Sequence, residues 1–164
     1  MKELLALRHA KSDHGDRTLR DHDRTLNERG RGSAPRVGQL LVRENVLPDL
    51  VLCSTAVRAM ETAALVMTAS GCTAEIEFIE ELYLASPDTI LDTAMRRGED
   101  HRRVMVVGHN PGMEDVMTLL GLGMHEMPTA ALAHISFDVD EWALATSAAK
   151  VTLEHLWLAR ELPE

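Results

Sequence analysis

The sequence predicts an α/β fold with a mostly parallel sheet. Four apolar runs of strand length, at residues 4–7, 50–53, 76–79 and 104–107, are each separated from the next by a stretch long enough for a helix. That alternation belongs to strand-helix-strand units whose strands lie parallel. The chain has 164 residues, 45% apolar and 26% charged, enough for the core of one domain over residues 1–164 and unlike the composition of a disordered chain. Aromatic residues are only 3%, so aliphatic and Met side chains must fill that core.

The first strand comes from residues 4–7 and the polar stretch 11–24 follows it. A loop of that length inside a compact domain is usually functional or disordered. Asn27 can cap a helix that runs to about Glu44, where Gly30, Ala34 and Gly38 recur every four residues and make a small-residue face for close packing. Pro35 falls inside that helix, against the usual rule. A second helix is expected from near Thr55 to about Ala69, with Arg58 in its opening turn.

Ser86-Pro87-Asp88 opens a third helix, since Ser caps, Pro suits the first helical position and Asp favours the dipole; Gly98 ends it. A fourth is expected from Met113 to about Leu120, after Pro111-Gly112. Residues 132–138 alternate loosely, and 150–158 are apolar and β-branched enough for a strand, with helix left open there. Such short connections between two late strands imply that at least one runs antiparallel at the sheet edge.

The formal charge of −9 argues against nucleic acid and anionic membrane as partners. Its distribution is uneven. Residues 8–43 hold nine Lys/Arg against five Asp/Glu, so an anionic ligand would be met there. Residues 1–7 are too short an apolar run for a signal peptide or a span, and the expected location is cytoplasmic. Cys53 and Cys72 are too few and too irregular for a disulfide framework or a zinc site and read as small buried residues.

Three of the four early apolar runs end in polar chemistry: Arg8-His9 after the first, Ser54-Thr55 and then Arg58 after the second, Gly108-His109-Asn110 after the fourth. In an open parallel sheet these ends share one edge, where ligands bind. Two guanidiniums, each gripping two oxygens, suit a phosphoryl group, and helix starts near Ser54-Thr55 and after Pro111 add N–H donors. An imidazole among cations has its pKa lowered and keeps a lone pair, so it is a candidate nucleophile.

These residues resemble a known family. The segments Leu7-Arg8-His9-Ala10-Lys11-Ser12, Asp23-Arg24-Thr25-Leu26-Asn27-Glu28-Arg29-Gly30, Ser54-Thr55-Ala56-Val57-Arg58-Ala59-Met60-Glu61-Thr62-Ala63, Val107-Gly108-His109-Asn110-Pro111-Gly112 and Met127-Pro128-Thr129-Ala130-Ala131 occur in the order of the histidine phosphatase superfamily, and look most like its SixA-like phosphohistidine phosphatases. The resemblance implies a three-layer α/β/α, phosphoglycerate mutase-like fold in a minimal version without helical insertions. It implies a phosphoenzyme on His9, with Arg8, Arg58 and His109 completing the catalytic pocket and Arg24 and Asn110 as further phosphate contacts. No metal and no organic cofactor are implied.

Ala10 stands where many members have Gly, and Thr25 where the subgroup usually has Pro. Members that cleave phosphate esters carry a Glu at the place held here by Leu84. An alkoxide wants a proton from such an acid, whereas a departing imidazole can bring its own, titrating around pH ~6.5. The implied substrate is therefore phosphohistidine on a protein, with a small phosphorylated molecule or a non-catalytic phosphate-binding module as the alternatives. Glu80, Glu81 and Asp13 are the other acid candidates, each better read as a solvated carboxylate.

Two rival chemistries are weaker. Cys53 precedes Arg58 at one residue fewer than the loop of cysteine-dependent phosphatases requires, and without its glycines. Asp13, His14, Asp16, Asp21, His22 and Asp23 could be metal ligands by type, but a loop of this kind fixes no geometry for them.

Overall fold

A computed structural model describes residues 1–164. In chain order the elements are β1 (Lys2–Arg8), α1 (Glu28–Arg43), β2 (Leu50–Ser54), α2 (Val57–Ser70), β3 (Glu75–Ile79), α3 (Pro87–Gly98), β4 (Arg103–Gly108), α4 (Gly112–Leu119), β5 (Leu132–Phe137) and β6 (Val151–Trp157). One sheet has the order β3-β2-β4-β1-β5-β6. The pairs β1–β4, β2–β4 and β2–β3 are parallel, while β5 lies antiparallel to β1 and to β6. The fold is thus the expected α/β type, and residues 150–158, for which helix was open, give the edge strand.

Successive side chains of a strand point to opposite faces. Leu4, Ala6, Leu50, Leu52, Val104 and Val106 join α3 and α4 in one apolar layer. Leu5, Leu7, Val51, Cys53, Met105 and Val107 join α1 and α2 in the other. Both faces are covered, which is why these strands read as unbroken apolar runs with no polar alternation. The result is a three-layer α/β/α arrangement.

Two helix starts follow their caps. The side chain of Asn27 accepts from Gly30 N at 2.9 Å, and the Ser86 hydroxyl accepts from Thr89 N at 3.2 Å. The start of α2 departs from expectation. It begins at Val57, because the Ser54 hydroxyl accepts from Ala56 N at 3.2 Å and holds Ser54–Ala56 in a turn outside the helix. Pro35 stays within α1.

The small-residue face of α1 meets α2. A Cβ on Gly38 would lie 2.4 Å from the Val66 carbonyl oxygen, so only glycine permits this approach. Gly30 does the same for the loop after β1, where a Cβ would lie 2.1 Å from the Lys11 carbonyl oxygen. Residues 11–24 are in turn tied down: Ser12 bridges Leu26, Asp13 N donates to Thr25 O at 2.8 Å, and Asp21–Asp23 form a short 3-10 turn. No helix is long and apolar enough to cross a membrane.

Candidate active site

Adjacency in the sheet decides which strand ends meet. Arg8 is in register with Gly108, and Cys53 with Val107, so His9, His109 and Ser54 emerge side by side. His9 is fixed by its own backbone: its N–H donates to Gly108 O and its carbonyl accepts from Ala130 N, both at 3.0 Å. The next N–H, of Ala10, donates to the buried Thr62 hydroxyl at 3.0 Å. A cleft of about 250 Å³ opens at this edge, and Arg8, His9, Arg24, Arg58, His109 and Asn110 all line it. All six residues named from the sequence are brought together.

The state of His9 follows from its contacts. Nδ1 lies 2.7 Å from the Ala10 carbonyl oxygen, which can only accept, so the proton belongs on Nδ1 and Nε2 keeps its lone pair. Arg58 Nε donates to that lone pair at 3.3 Å. Burial, above all, and the nearby Arg58, Arg8 and Arg24 outweigh the bond to Ala10 and hold His9 down to about 4. The imidazole is neutral at neutral pH.

His109 stands beside it, ring centroids 5.1 Å apart. Its Nε2 lies 2.8 Å from Ser54 Oγ, while its Nδ1 is buried without a partner. Burial, then the neighbouring His9 and Arg58, push its pKa down to about 3. Ser54 Oγ can donate to Nε2 or accept from it, so this contact fixes neither neutral tautomer. With the proton on Nδ1, that hydrogen has no partner until a ligand oxygen completes it.

The arginines are oriented by Asp21, which the sequence offers only as one of several loop residues of metal-ligand type. Asp21 accepts from Arg58 through its backbone oxygen at 2.7 Å and its Oδ2 at 3.0 Å. Arg24 donates to Asp21 Oδ1 from Nε at 3.1 Å and from Nη2 at 3.0 Å, and to Ser12 Oγ at 2.6 Å. The Tyr83 hydroxyl donates to the same carboxylate, and this bond, with Arg24 and Arg58, holds Asp21 far below the usual carboxylate range. Tyr83 also sets its ring edge against His109, centroids 5.4 Å apart. In sequence Asp21 is one of several acids in a polar loop; its spacing of three from Arg24 was the available signal.

Arg8 donates from Nη1 to Met127 O at 2.9 Å, and its buried Nε has no partner. Asn110 does not present the donor expected of it. Both of its amide hydrogens are engaged, to Glu114 Oε1 and Met127 O at 2.9 Å each, and the atom left over is the acceptor Oδ1. Glu114, also unnoticed in the sequence, takes Met127 N at 2.8 Å as well, so this group braces Arg8 and the loop before β5.

The other candidates lie elsewhere. Glu80, Glu81 and Asp13 do not line the cleft, whereas Leu84 does, exposed and with a left-handed φ of 49°. The loop acids serve separate partners: Asp13 caps Gly15 N, Asp16 holds Thr18, Asp23 holds Arg20, and His22 meets Thr55. Cys53 is fully buried outside the cleft, and burial pushes its thiol up to about 12, away from reactivity.

A neutral imidazole nitrogen with a lone pair, flanked by guanidiniums and by a second imidazole whose Nδ1 is unpartnered, suits a tetrahedral oxyanion and attack on its centre. The pattern of the histidine phosphatase superfamily (branch 1) matches residues 4–83. A protein of Mycobacterium tuberculosis is 40% identical over 105 residues, 64% of this chain, and the match spans 63% of the length of that relative. A chloroplastic protein of Arabidopsis thaliana is 31% identical over 150 residues, covering 86% of this chain and 69% of its own. The solved structure of the SixA protein of Agrobacterium tumefaciens, assigned as a phosphohistidine phosphatase, has a TM-score of 0.80 at 29% identity, over 95% of this chain and 97% of that one. By pattern, relatives and phosphoglycerate mutase-like architecture together, this chain belongs to the histidine phosphatase superfamily, as a SixA-like member without large insertions.

Proposed function

We propose that the chain is a phosphatase that moves a phosphoryl group from a protein phosphohistidine to His9 and then to water. The observation that carries this reading is the neutral His9, its Nε2 lone pair facing the cleft beside Arg58 while Nδ1–H is tied to Ala10 O. Arg8 Nε and His109 Nδ1, both buried without partners, are donors in place for phosphoryl oxygens, and Arg58 completes the set.

On substrate binding, a phosphoryl oxygen takes over the Arg58 Nε–H that otherwise caps His9 Nε2. The freed lone pair attacks phosphorus in line, the P–N bond to the substrate imidazole breaks, and that imidazole leaves with the proton it carries. Charge on the equatorial oxygens is met by Arg8, Arg58 and His109. Water then attacks the phospho-His9, inorganic phosphate leaves, and Nε2 recovers its lone pair. Leu84 at the mouth of the cleft offers no proton to an alkoxide, which favours a leaving group of the imidazole type. The two core layers share one sheet, which supports residues 1–164 acting as one domain.

The test is to incubate the protein with a histidine-phosphorylated protein domain and follow phosphate release and label transfer. Wild type should give an acid-labile, alkali-stable phosphoenzyme at His9. His9→Ala should lose it, along with roughly 10³-fold or more in turnover. Undiminished turnover by His9→Ala, or label on another residue, would remove the proposal.

A further inference from the structure

A second, larger cleft of about 620 Å³ adjoins the first, and Lys11 and Thr129 line both. One wall is the exposed side of α1, with Arg29, Gly32 and Arg36, and the other is the segment after β6, with Arg160. Four cations therefore line it against one carboxylate, Glu164, in a chain whose formal charge is −9. None of Lys11, Arg29, Arg36 and Arg160 is in an ion pair. Arg36 Nη1 reaches the Leu162 carbonyl at 3.5 Å, but no carboxylate neutralises any of the four, and charge of one sign gathered along a cleft favours an anion there.

The arrangement selects an extended anion over a compact one. Arg29 and Arg36 lie seven residues apart on one helix, two turns or about 10 Å. That matches carboxylates three residues apart on a polyproline II segment, which share one face about 9 Å apart. A second phosphate group on a small molecule would need donors converging on one point, as they do around His9, and here the cations are spread, with Arg29 and Arg160 exposed and Lys11 and Arg36 half-buried. We infer that this groove binds an acidic polypeptide segment flanking the phosphorylated residue of the substrate, entering the reaction cleft past Lys11. The placement of the phosphoryl end rests on the function proposed above; binding in the groove does not.

Gly32 supplies a clean probe, because a Cβ there meets nothing within 4 Å and a side chain would project into open space. A fluorescent peptide with Glu at every third position and Ser between, and its Gln counterpart, are titrated into wild type, Gly32→Glu and the Arg29→Glu/Arg36→Glu double variant, with unchanged circular dichroism as the folding control. The acidic peptide should bind, the Gln peptide at least roughly tenfold more weakly, and both variants should lose roughly tenfold or more for the acidic one. Phosphohistidine peptides with the two flanks should differ likewise in kcat/KM, through KM, while turnover of a small phosphoramidate by Gly32→Glu stays within about twofold of wild type.

Equal binding of the two peptides, indifference to both variants, or displacement of the acidic peptide by equimolar inorganic triphosphate would overturn the assignment. Should no substrate turn over at all, the phosphatase reading fails alone, because peptide binding is still read out, including on His9→Ala.

Discussion

At the scale of single residues, the cleft is built from side chains that line it and from others that hold those in place. His9, His109, Arg8 and Arg58 stand out because each follows an apolar run at a strand end. Asp21, Thr62 and Glu114 do not, because a carboxylate or hydroxyl becomes a positioning group only through partners distant in sequence. The two imidazoles should stay neutral far below the usual histidine range near pH ~6.5. Titration by NMR should find the His9 and His109 rings unprotonated at pH 5; a midpoint near 6.5 for either would contradict the burial and arginine effects that depress them. Asp21→Asn should lower kcat by roughly tenfold or more by releasing Arg58 and Arg24, yet leave vanadate affinity undiminished, since a carboxylate that shares those guanidiniums is gone. Parallel loss of both would mean that Asp21 acts only through folding. Leu84→Glu places a carboxylic acid at the cleft mouth and should raise hydrolysis of an aryl or alkyl phosphate by roughly 10-fold or more, with little gain on a phosphoramidate.

At the scale of elements, helix and strand positions were readable where local chemistry decides them. Asn27 and Ser86 cap as their residue types suggest, and the strands extend no more than two residues beyond the apolar runs. The start of α2 was not readable, because the Ser54 hydroxyl bonds within a turn and the helix opens without a side-chain cap. The α1–α2 contact gives a direct test. Gly38→Ala raises helix propensity, but its methyl would press on the Val66 backbone, so the protein should lose about 1–3 kcal/mol in urea unfolding. Unchanged or increased stability would show that this contact yields easily.

At the scale of the whole molecule, the coupling of folding to protons has one sign on the acid side. His9 and His109 have folded pKa values below the unfolded one, so the unfolded chain takes up protons first and stability falls as pH drops from about 6.5. Glu3 adds to this: burial opposes its ionisation, but Arg103 and His134 outweigh burial and lower its pKa, so its contribution is lost as pH falls below the ordinary carboxylate range. On the alkaline side Cys53, raised to about 12 by burial, loses stability as pH rises above its unfolded value of 9.0. The melting temperature should therefore decline steadily from pH 7 to pH 4 and again above pH 9. A plateau down to pH 4 would exclude buried neutral histidines. None of these partners is visible from composition, since the charge total of −9 does not say which charges meet.

Because β5 runs against β1, its first residues arrive at the edge that β1, β2 and β4 leave. The loop before it brings Met127 to Arg8, and Ala130 to His9, without a crossover helix. This divides the rim of the pocket into two parts with different freedom to vary. The part carrying His9, Ser54 and His109 is locked to the register of parallel strands, where any slip would displace one of them. The other part, Thr129, sits on the loop of residues 121–131, which joins a helix to a reversed strand and can change sequence while every strand pairing stays as it is. Change at Thr129 is thus the least costly route to a different leaving-group environment, because no strand pairing depends on its side chain.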